Sequence, residues 1–262
     1  MEIIDKAKKT VGKVQYHLRV RPGDVGKYVL LPGDPERVLR IAKHLDGARE
    51  IAYNREFRTW TGVYKGITIS ATSTGIGCPS AAIAVEELAN IGATHVIRVG
   101  STGAIQPGIQ IGDLIIATGS MRNEGTSLFY VGESFPAVPN HLLTHALVES
   151  AMKYQNNRDF HLHVGLCASN DAFYGEDPVF IAKLSQLKIL NVEMESSAIF
   201  IVSHKRGLKS AMICAVSGNL VTNDVIYEET NLSLIQGWED AILVALEGIY
   251  HYETMGYPNL FE

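Results

Sequence analysis

A chain of 262 residues that is 46% hydrophobic and 19% charged can bury a sizeable core and lacks the composition of a disordered protein. Its net charge of -5, with the basic residues scattered, excludes the electrostatic footprint of a nucleic-acid binder or of a protein held on an anionic membrane. No stretch reaches about 18 uninterrupted apolar residues, and the start MEIIDKAKKTVGK has no apolar run, so a soluble, unexported protein with a cytoplasmic home is expected.

Taken in chain order, KYVLL (27–31) and ITISATS (67–73) read as strands. PSAAIAVEELANIG (79–92) reads as a helix, with Pro79 in its first turn and Gly92 just beyond its end. HVIRV (95–99) and DLIIATGS (113–120) are strands, followed by a helix over about 140–153 and the strand HVGLCAS (163–169). A helix from Met194 to Arg206 stops at Gly207; SAMICAVS (210–217) is the next strand, and a last helix spans about 233–250. Strands alternating with helices predict an α/β fold with helices on both faces, and fully apolar strands fit burial on both sides. Cys78, Cys167 and Cys214 lie in apolar or small-residue surroundings without CxxC spacing, which predicts buried thiols. The aromatic segment after Tyr250 is open to two readings, a frayed tail or a patch that packs on a neighbour.

Three glycine-rich turns follow apolar strands: LPGDPERV (31–38), STGIGCPS (73–80) and VGSTGAIQPG (99–108). Ligands of open α/β sheets bind beyond the carboxyl ends of strands, where glycine lets backbone N–H groups close around an anion. Arg37 and Arg98 accompany two of these turns and Arg55 lies in AYNREFRTW; the guanidinium fork suits phosphate oxygens. A single turn of this kind is more often plain punctuation, and Arg98 alone could pair with a structural carboxylate. STGIGCPS has neither the Gly-Lys-Ser/Thr of a Walker loop nor dinucleotide spacing. Glu193 and Glu195 flank Met194 at the start of an apolar helix, either as ordinary N-terminal carboxylates or as acceptors for vicinal sugar hydroxyls. Phe173 and Tyr174 follow a strand end, as core aromatics or as a face for a flat heterocycle.

PGDPERV, NREFRTWTG, the run from STGIGCPS through VGSTGAIQPGIQIGD, and VEMESSAIF occur together in this order. With them the sequence resembles the nucleoside phosphorylase-I family, in its hexameric uridine and purine nucleoside branch, from about Tyr16 to the last helix. The resemblance implies a single-domain α/β/α fold (1–262, with 1–15 an N-terminal extension and 251–262 a C-terminal tail) whose central mixed sheet is partly barrel-like. It implies phosphate-dependent cleavage of a ribonucleoside to free base and ribose 1-phosphate. Gly33, Arg37, Arg98 and Ser101 match the family's phosphate ligands, and Arg55 matches an arginine lent by the neighbouring subunit. Arg98 and Glu195 take the catalytic positions; Glu195, Met194 and, across the interface, His17 match the ribose contacts. Phe173 matches the aromatic that packs on the base, with Gly218 and Asn219 at the other base positions. Glu56, Ile76 and Ser80 match a monovalent-cation site, such as for K+, at the dimer interface. No resident cofactor is expected, inorganic phosphate being a co-substrate. The expected partners are small molecules and further copies of the chain, in a hexamer built as a trimer of dimers, with no nucleic acid or membrane.

The base half departs from both family patterns. Gly218 stands where purine members carry an aspartate that protonates the leaving base, and FYGEDPVF and Leu220 replace the glutamine and arginines of uridine members. Missing the purine acid tips the expectation to uridine, with a purine nucleoside or methylthioadenosine as the alternative substrate. Glu176, Asp177 and Asn219 are candidate substitutes for the missing base contacts, the first two being otherwise simply part of a solvated loop. A water-using nucleoside hydrolase is disfavoured by the three arginines, which hydrolysis does not need; a non-catalytic nucleoside binder is the remaining alternative.

Overall fold

The computed structural model describes residues 11–222, 224–225 and 231–256. The sheet begins with β1 (Tyr28–Leu31), and α1 (Pro35–Ala42) follows it directly. Asp34 caps α1 by accepting from the Glu36 N–H, Pro35 fits the first turn, and Val38, Ile41 and Ala42 turn inward. Arg37 therefore projects from a helix, whereas the sequence placed it in a turn running to Val38. The hairpin β2 (Asp46–Asn54) and β3 (Phe57–Tyr64) leads into β4 (Ile67–Thr72), α2 (Cys78–Asn90) and β5 (His95–Ala104). Then come β6 (Leu114–Asn123), α3 (His141–Gln155), β7 (Leu162–Asn170), α4 (Pro178–Gln186) and β8 (Asn191–Glu193). The chain closes with α5 (Ser196–Arg206), β9 (Lys209–Asn219), the short β10 (Asp224–Val225) and α6 (Leu232–Thr254).

These strands form one sheet in the order β10-β9-β6-β7-β8-β5-β1-β4-β3-β2, and β9 also pairs with β5. That extra pairing closes β5, β9, β6, β7 and β8 into a mixed barrel, parallel at β5–β9 and antiparallel at β6–β9 and β5–β8. Residues 100–103, expected as a loop, are instead the second half of β5: Gly100 pairs with Cys214, Thr102 with Val216, and Gly103 with both Gly218 and Val192. A barrel seam needs pairing on both edges of this strand, and its small residues let the chain bend sharply enough to reach two neighbours.

Helices cover both faces. Leu30, Ile97 and Ile213 pack with Val38 of α1, Leu147 of α3 and Leu246 of α6, while Val29, Val96 and Met212 pack with Val85 of α2 and Phe200 of α5. Cys78, Cys167 and Cys214 are buried and unpaired, as expected. Two expectations need correction at element ends. Glu193 accepts from the Glu195 and Ser196 N–H groups, so α5 starts at Ser196 and Met194 precedes it. Helix α6 continues to Thr254, because Tyr252 is buried beside His95 and Glu253 accepts from Lys27 and Tyr28. Residues 251–254 are thus helix and no frayed tail; residues 1–10 of the N-terminal extension and 257–262 lie outside the described residues.

Candidate active site

The carboxyl ends of β1, β4 and β5 bring the first two glycine turns and the second half of β5 together. Thr74 N–H donates to the Pro32 carbonyl and Gly75 N–H to the Gly33 carbonyl, each at 2.9 Å. Gly77 N–H donates to Glu195 Oε1 at 2.8 Å, which ties the second turn to the start of α5. From β5, Arg98 reaches the same place: its Nε lies 2.7 Å from Glu193 Oε2, and a terminal nitrogen contacts Glu195 Oε2. Three positions on, Ser101 Oγ accepts from Trp238 Nε1 of α6 at 2.7 Å, and the Arg37 guanidinium lies 4.5 Å from the centre of the same indole. Pro32, Arg37, Val99, Gly100 and Trp238 line a small pocket at this junction.

Glycine at 100 has a specific cause: a Cβ there would come within 2.8 Å of the Arg98 guanidinium carbon, so the folded-back arginine needs that space.

Charge is concentrated here without full satisfaction. Arg98 is 4% exposed; burial works against its charge, but Glu195 and Glu193 outweigh burial and hold it firmly protonated. The two glutamates diverge. Burial opposes ionisation of Glu193, yet Arg98, the hydroxyls of Ser169 and Ser196 and the backbone N–H of Glu195 pull it below the usual carboxylate range. Burial raises Glu195 to about 7 against the pull of Arg98, and the neighbouring Glu193 charge adds to the rise. Arg37 is lowered by burial and then by the Arg98 charge, with Asp34 opposing. Among the described residues, Arg37 Nε, Arg98 Nε and Glu195 Oε2 are all buried without an aligned hydrogen-bond partner. The contacts of Arg98 with the carboxylates are thus close in charge but poorly directed. A site with two neighbouring guanidiniums and unused buried donors is built to take a further acceptor.

Gly33, Arg37, Arg98, Ser101 and Glu195 share this junction, and half-buried Met194 lies between Glu193 and Glu195 in the chain. Arg55 does not: it is exposed at the tip of the β2–β3 hairpin, with φ 57°. His17 is half-buried, its Nδ1 2.7 Å from Glu87 Oε1, and Glu87 also accepts from the His17 and Leu18 N–H groups. Gly218 faces Gly103 across the β5–β9 seam, near Ser101. Phe173, 45% exposed, meets Tyr174 edge-on in a short 3-10 turn. Asn219, at the end of β9, is engaged within the protein. Its amide donates to the Gln106 and Ile109 carbonyls and its Oδ1 accepts from Val221 N–H, so the side chain is engaged as a clip for the loop after β5. Asp177, one of the substitute base contacts, caps α4 through the Val179 N–H, and Glu176 is partly buried with its pKa raised by that burial. Ser80 donates to Glu56 Oε1 at 2.8 Å, and Ile76 is exposed beside them in the second turn.

Trp238 and Glu87 were not singled out in the sequence. Each sits on the apolar face of a helix, where spacing marks a core position and says nothing of a polar partner.

The chain belongs to the phosphorylase superfamily, whose profile matches residues 27–240. Among its relatives, a uridine phosphorylase of Thermococcus kodakarensis is 51% identical over 224 residues, 80% of this chain and 79% of that protein. A guanosine phosphorylase of Halorubrum lacusprofundi is 41% identical over 210 residues, covering 80% of this chain and 86% of its own. The crystal structure of uridine phosphorylase from Vibrio fischeri superposes with a TM-score of 0.80 at 40% identity, over 90% of this chain and 96% of that one.

Proposed function

We propose that this protein is a nucleoside phosphorylase acting on uridine: inorganic phosphate displaces uracil from C1′, giving ribose 1-phosphate. One observation carries the reaction type, the convergence of Arg37, Arg98 and Ser101 with buried guanidinium donors unused. As the C1′–N bond breaks, the sugar becomes oxocarbenium-like, and a phosphate dianion held by these groups both stabilises that charge and forms the new C1′–O bond. The base leaves with the bonding electron pair and takes up a proton. Glu195, ionised, accepts from the ribose hydroxyls, with Met194 as an apolar wall; Phe173 and the Gly218 seam face the base. The relative from Thermococcus kodakarensis supports uracil. The guanosine phosphorylase relative favours a purine nucleoside as the second reading.

The active unit is a homo-oligomer, a hexamer as a trimer of dimers, since Arg55 and His17 lie away from the Arg98 junction and serve a neighbour's site. With Nδ1 held 2.7 Å from Glu87 Oε1, His17 has its Nε2 on the far side of the ring to meet a sugar hydroxyl. Glu56, the Ser80 hydroxyl and the Ile76 carbonyl are oxygen donors of the type a monovalent cation takes, and such an ion would tie the second turn to the β2–β3 hairpin. We read the chain as one cytoplasmic domain, both halves of the core sharing one sheet; no helix among the described residues is long and apolar enough to cross a membrane.

The test is a panel of uridine, thymidine, inosine, guanosine, adenosine and methylthioadenosine, assayed for base release with and without phosphate. Uracil release that requires phosphate is expected. Turnover of purines alone would move the substrate to the second reading, and release indifferent to phosphate would refute phosphorolysis.

A further inference from the structure

We propose that Trp238 is a positioning residue of the phosphate subsite, which aims the Ser101 hydroxyl proton at the anion and holds the Arg37 guanidinium beside it. The inference rests on the phosphorylase reading and adds a residue from the last helix to a site otherwise made by strand ends and the starts of helices.

The chemistry follows from what an indole can do. Its Nε1–H donates and never accepts. Trp238 is 8% exposed, so this donor needs a partner within the protein, and the partner is Ser101 Oγ at 2.7 Å. A serine oxygen that accepts from the indole still has one proton to give. With the indole on one side, that proton points to another acceptor, and accepting a hydrogen bond makes the hydroxyl a better donor. Ser101 is thereby set as a donor, which is what a phosphate oxygen requires.

The ring does the second job. Arg37 lies 4.5 Å from the indole centre, and Arg40 of the same helix lies 5.4 Å from it. Stacking on an aromatic face offsets part of the cost of keeping Arg37 charged next to Arg98 and leaves the guanidinium edge, with its buried and unpartnered Nε, free to bond in the ring plane. Ile41 and Ile242 line the same pocket. A purely space-filling residue here would have no use for the N–H.

The protein's two tryptophans, Trp60 and Trp238, make the test direct. Trp60 donates its indole N–H to the partly exposed Glu50, away from the Arg98 junction, and Trp60→Phe leaves Trp238 as the sole indole emitter. Titrating this otherwise intact protein with inorganic phosphate alone should give a saturable change in emission, with a midpoint equal to the phosphate Kd from calorimetry. In the wild-type background, Trp238→Phe keeps a ring for Arg37 and removes the N–H. Its phosphate KM should rise about fivefold, the size of one lost hydrogen bond, while kcat and the uridine KM stay within about twofold. Ser101→Ala should show the same pattern, and Trp238→Phe with Ser101→Ala should be no worse than Ser101→Ala alone, because the indole N–H acts through the hydroxyl.

Emission that ignores phosphate while calorimetry shows binding would overturn the proposal. So would a Trp238→Phe enzyme whose KM values rise together, or a double variant whose losses multiply. If Trp238→Phe does not fold, the Trp60→Phe titration decides alone. Base release by the wild type that is indifferent to phosphate fails the phosphorylase reading itself, and is told apart because no variant is involved.

Discussion

Replacing Arg98 with alanine tests the electrostatics of the site through stability, without reference to substrate. The substitution leaves Glu193 and Glu195 buried with their shared cation gone. Removing one member of a buried ion pair costs roughly 3–5 kcal/mol, a large share of a typical folding stability. Glu193 can stay ionised, because it still accepts from two backbone N–H groups and the hydroxyls of Ser169 and Ser196. Glu195 keeps only the Gly77 N–H and must take up a proton. Its folded pKa, already raised to about 7, moves higher in the variant. A carboxyl whose folded pKa is raised contributes stability that is fully present below its unfolded value and is lost as pH rises through the folded value. Between pH 6 and 8 the variant therefore loses stability more steeply than the wild type, so the penalty grows as the pH rises over this range. Denaturant unfolding of both proteins at pH 6 and pH 8, at one protein concentration, measures it. A penalty below about 1 kcal/mol, or one equal at the two pH values, would refute the coupling of Arg98 to these glutamates.

For catalysis the sign of Glu195 reverses, since only the carboxylate accepts from both ribose hydroxyls: kcat/KM for uridine at saturating phosphate should fall tenfold per pH unit below an apparent pKa near 7, and a flat profile from pH 6 to 8 would exclude this role. Arg55→Ala, on an exposed hairpin tip, should change stability by less than about 0.5 kcal/mol yet abolish most activity, and mixing it with Arg98→Ala subunits should recover part of it; no recovery would contradict a shared site. Gly100→Ala puts a methyl against the Arg98 guanidinium and should raise the phosphate KM at least tenfold, whereas Gly132→Ala, with open space around it, should leave kinetics unchanged.

Much of this molecule was legible before its structure. Apolar strands and the Pro79 and Gly92 boundaries of α2 mark themselves, because burial on both faces and helix ends leave strong local signals. Helix α1 was hidden inside a glycine turn, since PERVLRIA is only 8 residues long and shows its amphipathic face only once Asp34 is known to cap it. The second half of β5 read as a loop because barrel closure is a long-range demand, and small residues that permit a tight seam look locally like a turn. In the site, the carboxylate partners of Arg98 lay in plain view as Glu193 and Glu195, but nothing near position 98 said which acids would reach it. The hydrogen bonds of Asn219 were hidden for the same reason: its partners, the carbonyls of residues 106 and 109, are far away in sequence.

The central claim is that an orthophosphate held by Arg37, Arg98 and Ser101 is the nucleophile at C1′. Phosphate labelled with oxygen-18 at every position, given to the wild-type protein with uridine, tests it in a single mass spectrum. Phosphorolysis gives uracil together with a pentose phosphate that retains all of the phosphate label, because the new bond joins carbon to a phosphate oxygen. Unlabelled free ribose as the sugar product would contradict it.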